Sequence, residues 1–134
     1  MEKVFHVDIL TPYGKYLSTD ATFLSVKTGM GVIGILPNHA PLITTLEISK
    51  LVIKNNNDNL VYAISGGILS IKKGTQVTLL VSSIESRDEI DVDRALKAKQ
   101  RAEERLASDE EIDVTRAKVA LARALNRISV HDDL

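Results

Sequence analysis

IDVDRALKAKQRAEERLA (90–107) returns as IDVTRAKVALARALNRIS (112–129), at an offset of 22 and with nine of eighteen positions identical. Each copy opens Ile-Asp-Val-x-Arg-Ala and carries arginines at the same three places: Arg94, Arg101 and Arg105, then Arg116, Arg123 and Arg127. Spacings of seven and four put each set within roughly 40° on one side of a helix, at about 100° per residue. An aspartate, Asp91 or Asp113, stands before each run, suited to cap free backbone N–H groups. Val92, Ala95, Ala98, Ala102 and Leu106 form an apolar stripe on the first helix. Val114, Ala117, Leu121, Ala124 and Ile128 form one on the second. The bridge at 108–113 is short enough for an antiparallel pair. Two similar helices therefore fold back on each other, stripe to stripe. Their alanines bury little carbon, at about 0.8 kcal/mol per CH₂, so the pair is held weakly. A hairpin of this kind can be displaced.

Upstream of residue 87 the chemistry changes. Residues 1–86 hold seven Lys, no Arg and six acidic residues, whereas 87–134 hold all seven Arg, three Lys and twelve acidic residues. Confinement of Arg to the helices points to planar or bidentate recognition there, because Lys offers only a point charge. Phe5, Val7 and Ile9 alternate with His6 and Asp8 as a half-buried strand. Thr-Pro-Tyr-Gly (11–14) is a turn, and 21–27 a second strand broken at 28–31. Leu51–Lys54 and Leu60–Ile64 flank the polar run 55–59 as a hairpin; Gly66-Gly67 marks a turn or bulge. Ile68–Lys72 and Val77–Val81 pair around Lys73-Gly74. Short strands at this density predict a β-sandwich or barrel. The fold class is α+β in two parts: residues 1–86 a β-sandwich or barrel, which the family resemblance given below narrows to a β-sandwich, and residues 87–134 an antiparallel two-helix hairpin.

Composition excludes several functions. The net charge of -1 over 134 residues lacks the basic footprint of a bulk nucleic-acid binder. There is no Cys, hence no disulfide, thiolate nucleophile or Cys-based zinc site. MEKVFHVDIL lacks the pattern of a signal peptide, and no apolar run reaches the roughly 18 residues of a membrane span. A soluble cytoplasmic protein is expected. His6, His39 and His131 are too scattered for metal ligation. Gly31-x-x-Gly34 lacks the Lys-Ser/Thr of a phosphate loop. Asp88, Glu89, Asp91 and Asp93 stand at a helix start, where capping and the dipole account for them. No catalytic residue and no metal site is expected.

Two features remain. GILPNHAPL (34–42) is either a rigid crossover or a docking loop. The arginine stripes are either a solvated face, paired with Asp109 or Glu110 near the bend, or a recognition surface. On closure Arg101 approaches Arg123 and Arg127 around a shared phosphate, whose oxygens match the guanidinium fork. A stand-alone adaptor binding an acidic partner protein through these arginines is the second reading.

FHVDILTPYG (5–14), GILPNHAPL (34–42), YAISGGILSIKKGTQVTLL (62–80) and IDVDRALKAKQRAEERL (90–106) leading to ALARALNRIS (120–129) together resemble the ε-subunit family of bacterial F-type ATP synthases. The resemblance covers essentially the whole chain. It implies a non-catalytic rotor subunit of the central stalk, coupling proton transport to ATP synthesis. The sandwich would sit on the γ subunit and touch the polar loops of the c-ring. The hairpin would lie folded, or extend towards the catalytic α/β ring and hinder ATP hydrolysis. The location implied is peripheral, on the cytoplasmic face of the bacterial cell membrane, without insertion into it. No cofactor is implied as a requirement; ATP is implied as a regulatory ligand of the folded form. By the same resemblance Glu85, Ile90 and Asp91 meet the adenine side, Arg94 supports the site, and Arg101, Arg123 and Arg127 lie near phosphate. Val32, Leu36, Pro37, Asn38 and His39 form the docking loop for γ and the c-ring. Many members have Glu where Val32 stands and Gly where Asn38 stands. The acidic c-ring contact is thus missing here, and His39 with its neighbours carries the docking.

Overall fold

The computed structural model describes residues 3–56, 58–73, 75–108 and 113–132. The chain divides into two compact units, Met1–Ser86 and Arg87–Leu134. The first contains eight strands: β1 (Phe5–Thr11), β2 (Gly14–Ala21), β3 (Phe23–Thr28), β4 (Gly31–Ile35), β5 (Leu42–Asn55), β6 (Asp58–Lys72), β7 (Gln76–Val81) and β8 (Ile84–Ser86). They join in the order β2-β1-β7-β6-β5-β3-β4, with β8 added to β6. All pairs are antiparallel except β1 with β7.

The two long strands turn this sheet into a sandwich. The end of β6 pairs with β7, and its start pairs with β8. The later half of β5 pairs with β3. One layer is therefore β2, β1, β7 and the inner ends of β6 and β5; the other is β4, β3, β8 and the opposite ends of the same two strands. The buried phase records the crossing. In β6 it runs through Tyr62 and Ile64, then through Leu69 and Ile71; in β5 it passes from Leu46 to Ser49, Leu51 and Ile53. Between them the ladder leaves out Glu47 and Gly66, with the register the same on either side, at Leu46↔Gly67 and Ile48↔Ser65. Gly66-Gly67, expected as a turn or bulge, is thus the corner of the sandwich inside one continuous strand. A Cβ on Gly67 would land on the Leu80 carbonyl oxygen, so the corner requires glycine.

Val7, Ile9, Leu24, Leu51, Ile53, Leu69 and Leu79 fill the space between the layers without exposure. Tyr16 and Tyr62 meet edge to face, with centroids 5.9 Å apart. On the outer face of β1, β2 and β7 a polar cluster replaces apolar packing. The His6 ring contacts Asp20 Oδ1 through Nδ1 at 3.0 Å, and Ser18 Oγ and Asp8 Oδ1 through Nε2 at 2.8 and 3.2 Å. Gln76 Nε2 donates to Asp8 Oδ2 at 3.0 Å. The hydrogen bond to Asp20 is the main cause that raises the His6 pKa, and that from Ser18 the main one lowering Asp8.

The second unit begins with a 3-10 turn, Arg87–Glu89, followed by α1 (Val92–Ala107) and α2 (Val114–Asp132). The helices pack on each other. No helix is long and apolar enough to cross a membrane, among the described residues. The tip at 109–112, with Asp109 and Glu110, and position 74 of the Lys73-Gly74 turn lie outside the described residues, as does Asn57 in the β5–β6 turn.

Candidate functional site

Each helix starts as its sequence dictates. The Asp91 carboxylate accepts from the Arg94 N–H at 3.1 Å, and Asp113 does the same for Arg116 at 3.0 Å. These aspartates fill donors that the first helical turn leaves unpaired.

The seam between the helices is narrower than the apolar stripes predict. Ala95 and Ala102 on α1 and Ala117 and Ala124 on α2 are buried. Leu106, Leu121 and Ile128 are only half-buried, and Val114 is 48% exposed. Every one of the four buried alanines directly follows an arginine: Arg94, Arg101, Arg116 and Arg123. Each of these guanidiniums therefore leaves its helix about 100° round from the seam, in the same rotational sense. In an antiparallel pair that shared offset brings both stripes to one side of the hairpin.

Contacts along the pair fix its direction. Arg87 Nε donates to the His131 carbonyl at 3.1 Å at one end. At the other, Arg105 shares a small cleft with Asp113, Arg116 and Ala117. Between them lies a cleft of about 240 Å³ with Ala98, Ala102, Ala117 and Ala120 as its floor and Arg101 and Arg105 at its rim. A shallower groove along α1 is lined by Asp91, Arg94, Lys97 and Arg101, among others. Arg123 and Arg127 line none of these three. The antiparallel register set by the Arg87–His131 contact puts Arg123 level with Ala95, and so about 9 Å along the axis from Arg101 at roughly 1.5 Å per residue. That spacing suits a chain of phosphates more than one isolated phosphate. Ile90 is buried; Arg127 is half-buried; Arg94, Arg101 and Arg123 are exposed. Glu85 lies in β8, opposite Ala63, and belongs to the strand unit. The repeated Arg-Ala dipeptide was the available signal for the cleft; Arg105, which precedes Leu106, joins the cationic side through the lining of both clefts.

The second candidate surface lies on the sandwich. Val32 in β4 is 71% exposed and Leu36, which follows β4, is 59% exposed. Leu36-Pro37-Asn38-His39 is a turn closed by the His39 N–H on the Leu36 carbonyl at 3.2 Å. Pro37 presets the second position, and Asn38 takes φ 69° at the third, where a type II turn needs a left-handed residue. That is the physical reason glycine suits this position and asparagine replaces it. His39 Nδ1 donates to the Ala40 carbonyl at 2.7 Å, fixing the ring against its own loop. Ile43, just beyond, is 76% exposed and extends the apolar surface. Among the described residues no group of three or more His, Cys, Asp or Glu is arranged to hold a metal ion.

Comparison with known proteins matches both units in order. Residues 4–87 match the family profile of the ATP synthase delta/epsilon chain beta-sandwich domain, and residues 88–132 that of its long alpha-helix domain. The ATP synthase epsilon chain of Bacillus pumilus (strain SAFR-032) is 42% identical over 104 residues, 78% of this chain and 79% of that one. That of Desulforamulus reducens is 42% identical over 108 residues, 81% of each chain. A chain in the Euglena gracilis mitochondrial ATP synthase, in its OSCP/F1/c-ring structure, superposes with a TM-score of 0.83 at 19% identity, covering 92% of this chain and 78% of that one. A chain in the Tetrahymena thermophila mitochondrial ATP synthase central stalk/c-ring structure gives 0.63 at 18% identity, covering 97% and 95%. At those identities the two structures speak for the fold alone. The chain belongs to the delta/epsilon chain family of ATP synthase, as an accessory chain of that enzyme and not its catalytic one.

Proposed function

We propose that this chain is the epsilon-type subunit of the central stalk in a bacterial F-type ATP synthase. Its sandwich docks on γ and on the polar loops of the c-ring through Val32, Leu36, Pro37, Asn38 and His39. It turns with the rotor and couples proton transport to ATP synthesis from the cytoplasmic face of the membrane, peripherally. Its hairpin restrains ATP hydrolysis by extending towards the α/β ring, and ATP bound to the folded form opposes that extension. Glu85, Ile90 and Asp91 hold the adenine side in this reading, Arg94 supports them, and Arg101, Arg123 and Arg127 take the phosphates.

The observation that carries the regulatory part is the seam itself: four buried alanines, each preceded by an arginine on one side of the hairpin. Small side chains make opening inexpensive, and the cationic side gives the closed form a ligand that the open form does not share. A ligand shifts such an equilibrium only through unequal affinity for its states. ATP at 100 times its dissociation constant stabilises the closed form by roughly 2.7 kcal/mol if that form alone binds. This is comparable to what an alanine seam supplies. Deleting residues 88–134 tests the brake: hydrolysis by the assembled enzyme rises, and unchanged hydrolysis rejects it.

A further inference from the structure

We propose that Arg87 is a latch that fastens the free end of α2 to the root of α1. It is the first residue of the helical unit, and its Nε donates to the carbonyl of His131, one residue from the end of α2, at 3.1 Å. The last four carbonyls of a helix have no intrahelical donor. A guanidinium there both satisfies one of them and meets the negative end of the helix dipole. The contact spans 44 positions of sequence and joins the two open ends of the hairpin. Val130, beside it, is fully buried and anchors the same turn. Because alanines make the rest of the seam, this terminal bond governs how easily the arms part, and every opening has to break it. Arg87 is a positioning residue: it acts on the equilibrium without touching a ligand.

The consequence for hydrolysis rests on the proposed brake; the latch itself does not. Hydrogen exchange on the full-length protein reads it directly, comparing the parent with Arg87→Ala and Arg87→Lys. Losing a hydrogen bond from a charged donor speeds exchange of the α2 amides at 126–132 by roughly tenfold or more in Arg87→Ala. Arg87→Lys keeps the charge but not the fork, and falls between. Helix content by circular dichroism stays at the parent value. Unchanged exchange in Arg87→Ala overturns the latch. So does a loss of helix content, which would make the residue a builder of the helices and not their fastener. Faster exchange with unaltered hydrolysis in the assembled enzyme upholds the latch and rejects the brake; faster exchange with lowered hydrolysis upholds both.

Discussion

The Asp91 carboxylate sits 3.1 Å from the backbone nitrogen of Arg94, capping α1 with the same residue that the family likeness assigns to nucleotide. The two roles separate by substitution. Asp91→Ala removes the cap and costs about 1 kcal/mol of hairpin stability. Asp91→Asn keeps a capping oxygen, so stability changes by only a few tenths of a kcal/mol. If the carboxylate also meets the ligand, Asp91→Asn weakens ATP binding at unchanged thermal stability. Equal affinities for ATP in Asp91→Asn and parent would leave Asp91 as a cap alone.

Gly67→Ala drives a methyl group onto the Leu80 carbonyl at the corner of the sandwich. Backbone, not a flexible side chain, is the obstacle, so β6 or β7 has to move. A loss of more than about 2 kcal/mol in urea unfolding is expected. A loss below about 0.5 kcal/mol contradicts the corner geometry.

Asn38 holds a left-handed conformation at the third position of its turn. Asn38→Gly is expected to be neutral or slightly stabilising, whereas Asn38→Val costs about 1–3 kcal/mol through backbone strain. Chemical denaturation of both variants distinguishes this from an asparagine retained for its side-chain amide, in which case Gly and Val would be equally harmful.

The His6 cluster gives the sandwich a pH dependence of definite sign. His6 has a raised pKa, first through its hydrogen bond to Asp20. Its contribution is complete below the ordinary histidine value of 6.5 and disappears as pH rises through the folded value. Asp8 is lowered, first by the Ser18 hydrogen bond. Its contribution is complete above the ordinary 3.8 and disappears as pH falls through the folded value. Asp20→Asn is expected to lower the His6 titration midpoint, followed by ring proton resonances. An identical midpoint in that variant removes Asp20 as the cause.

The helical half was the more legible part of the sequence. Arginines and alanines at 3.6-residue spacing, with an aspartate ahead of each run, determine helix, cap and seam locally. The strands were harder to read for a stated reason. In β2, Gly14, Lys15, Ser18 and Asp20 mask the few inward residues, Tyr16, Leu17 and Ala21. In β4 only Ile33 and Ile35 face inward, between glycines. The first half of β5 escaped because its buried phase changes between Leu46 and Ser49, so no single alternation runs its length. Arg87 was invisible for another reason: its partner is a backbone carbonyl 44 residues away, and sequence records no such contact.

Titration calorimetry of the full-length protein with ATP probes the cationic side of the hairpin most directly. We expect one ATP per chain, with affinity reduced roughly tenfold or more by Arg101→Ala and by Arg123→Ala, as for loss of a charged hydrogen bond. Lys118 follows buried Ala117 and so leaves the helix on the opposite side; Lys118→Ala is expected to bind like the parent. Equal affinity across all four proteins, or no heat of binding in the parent, contradicts a phosphate site on the arginine face.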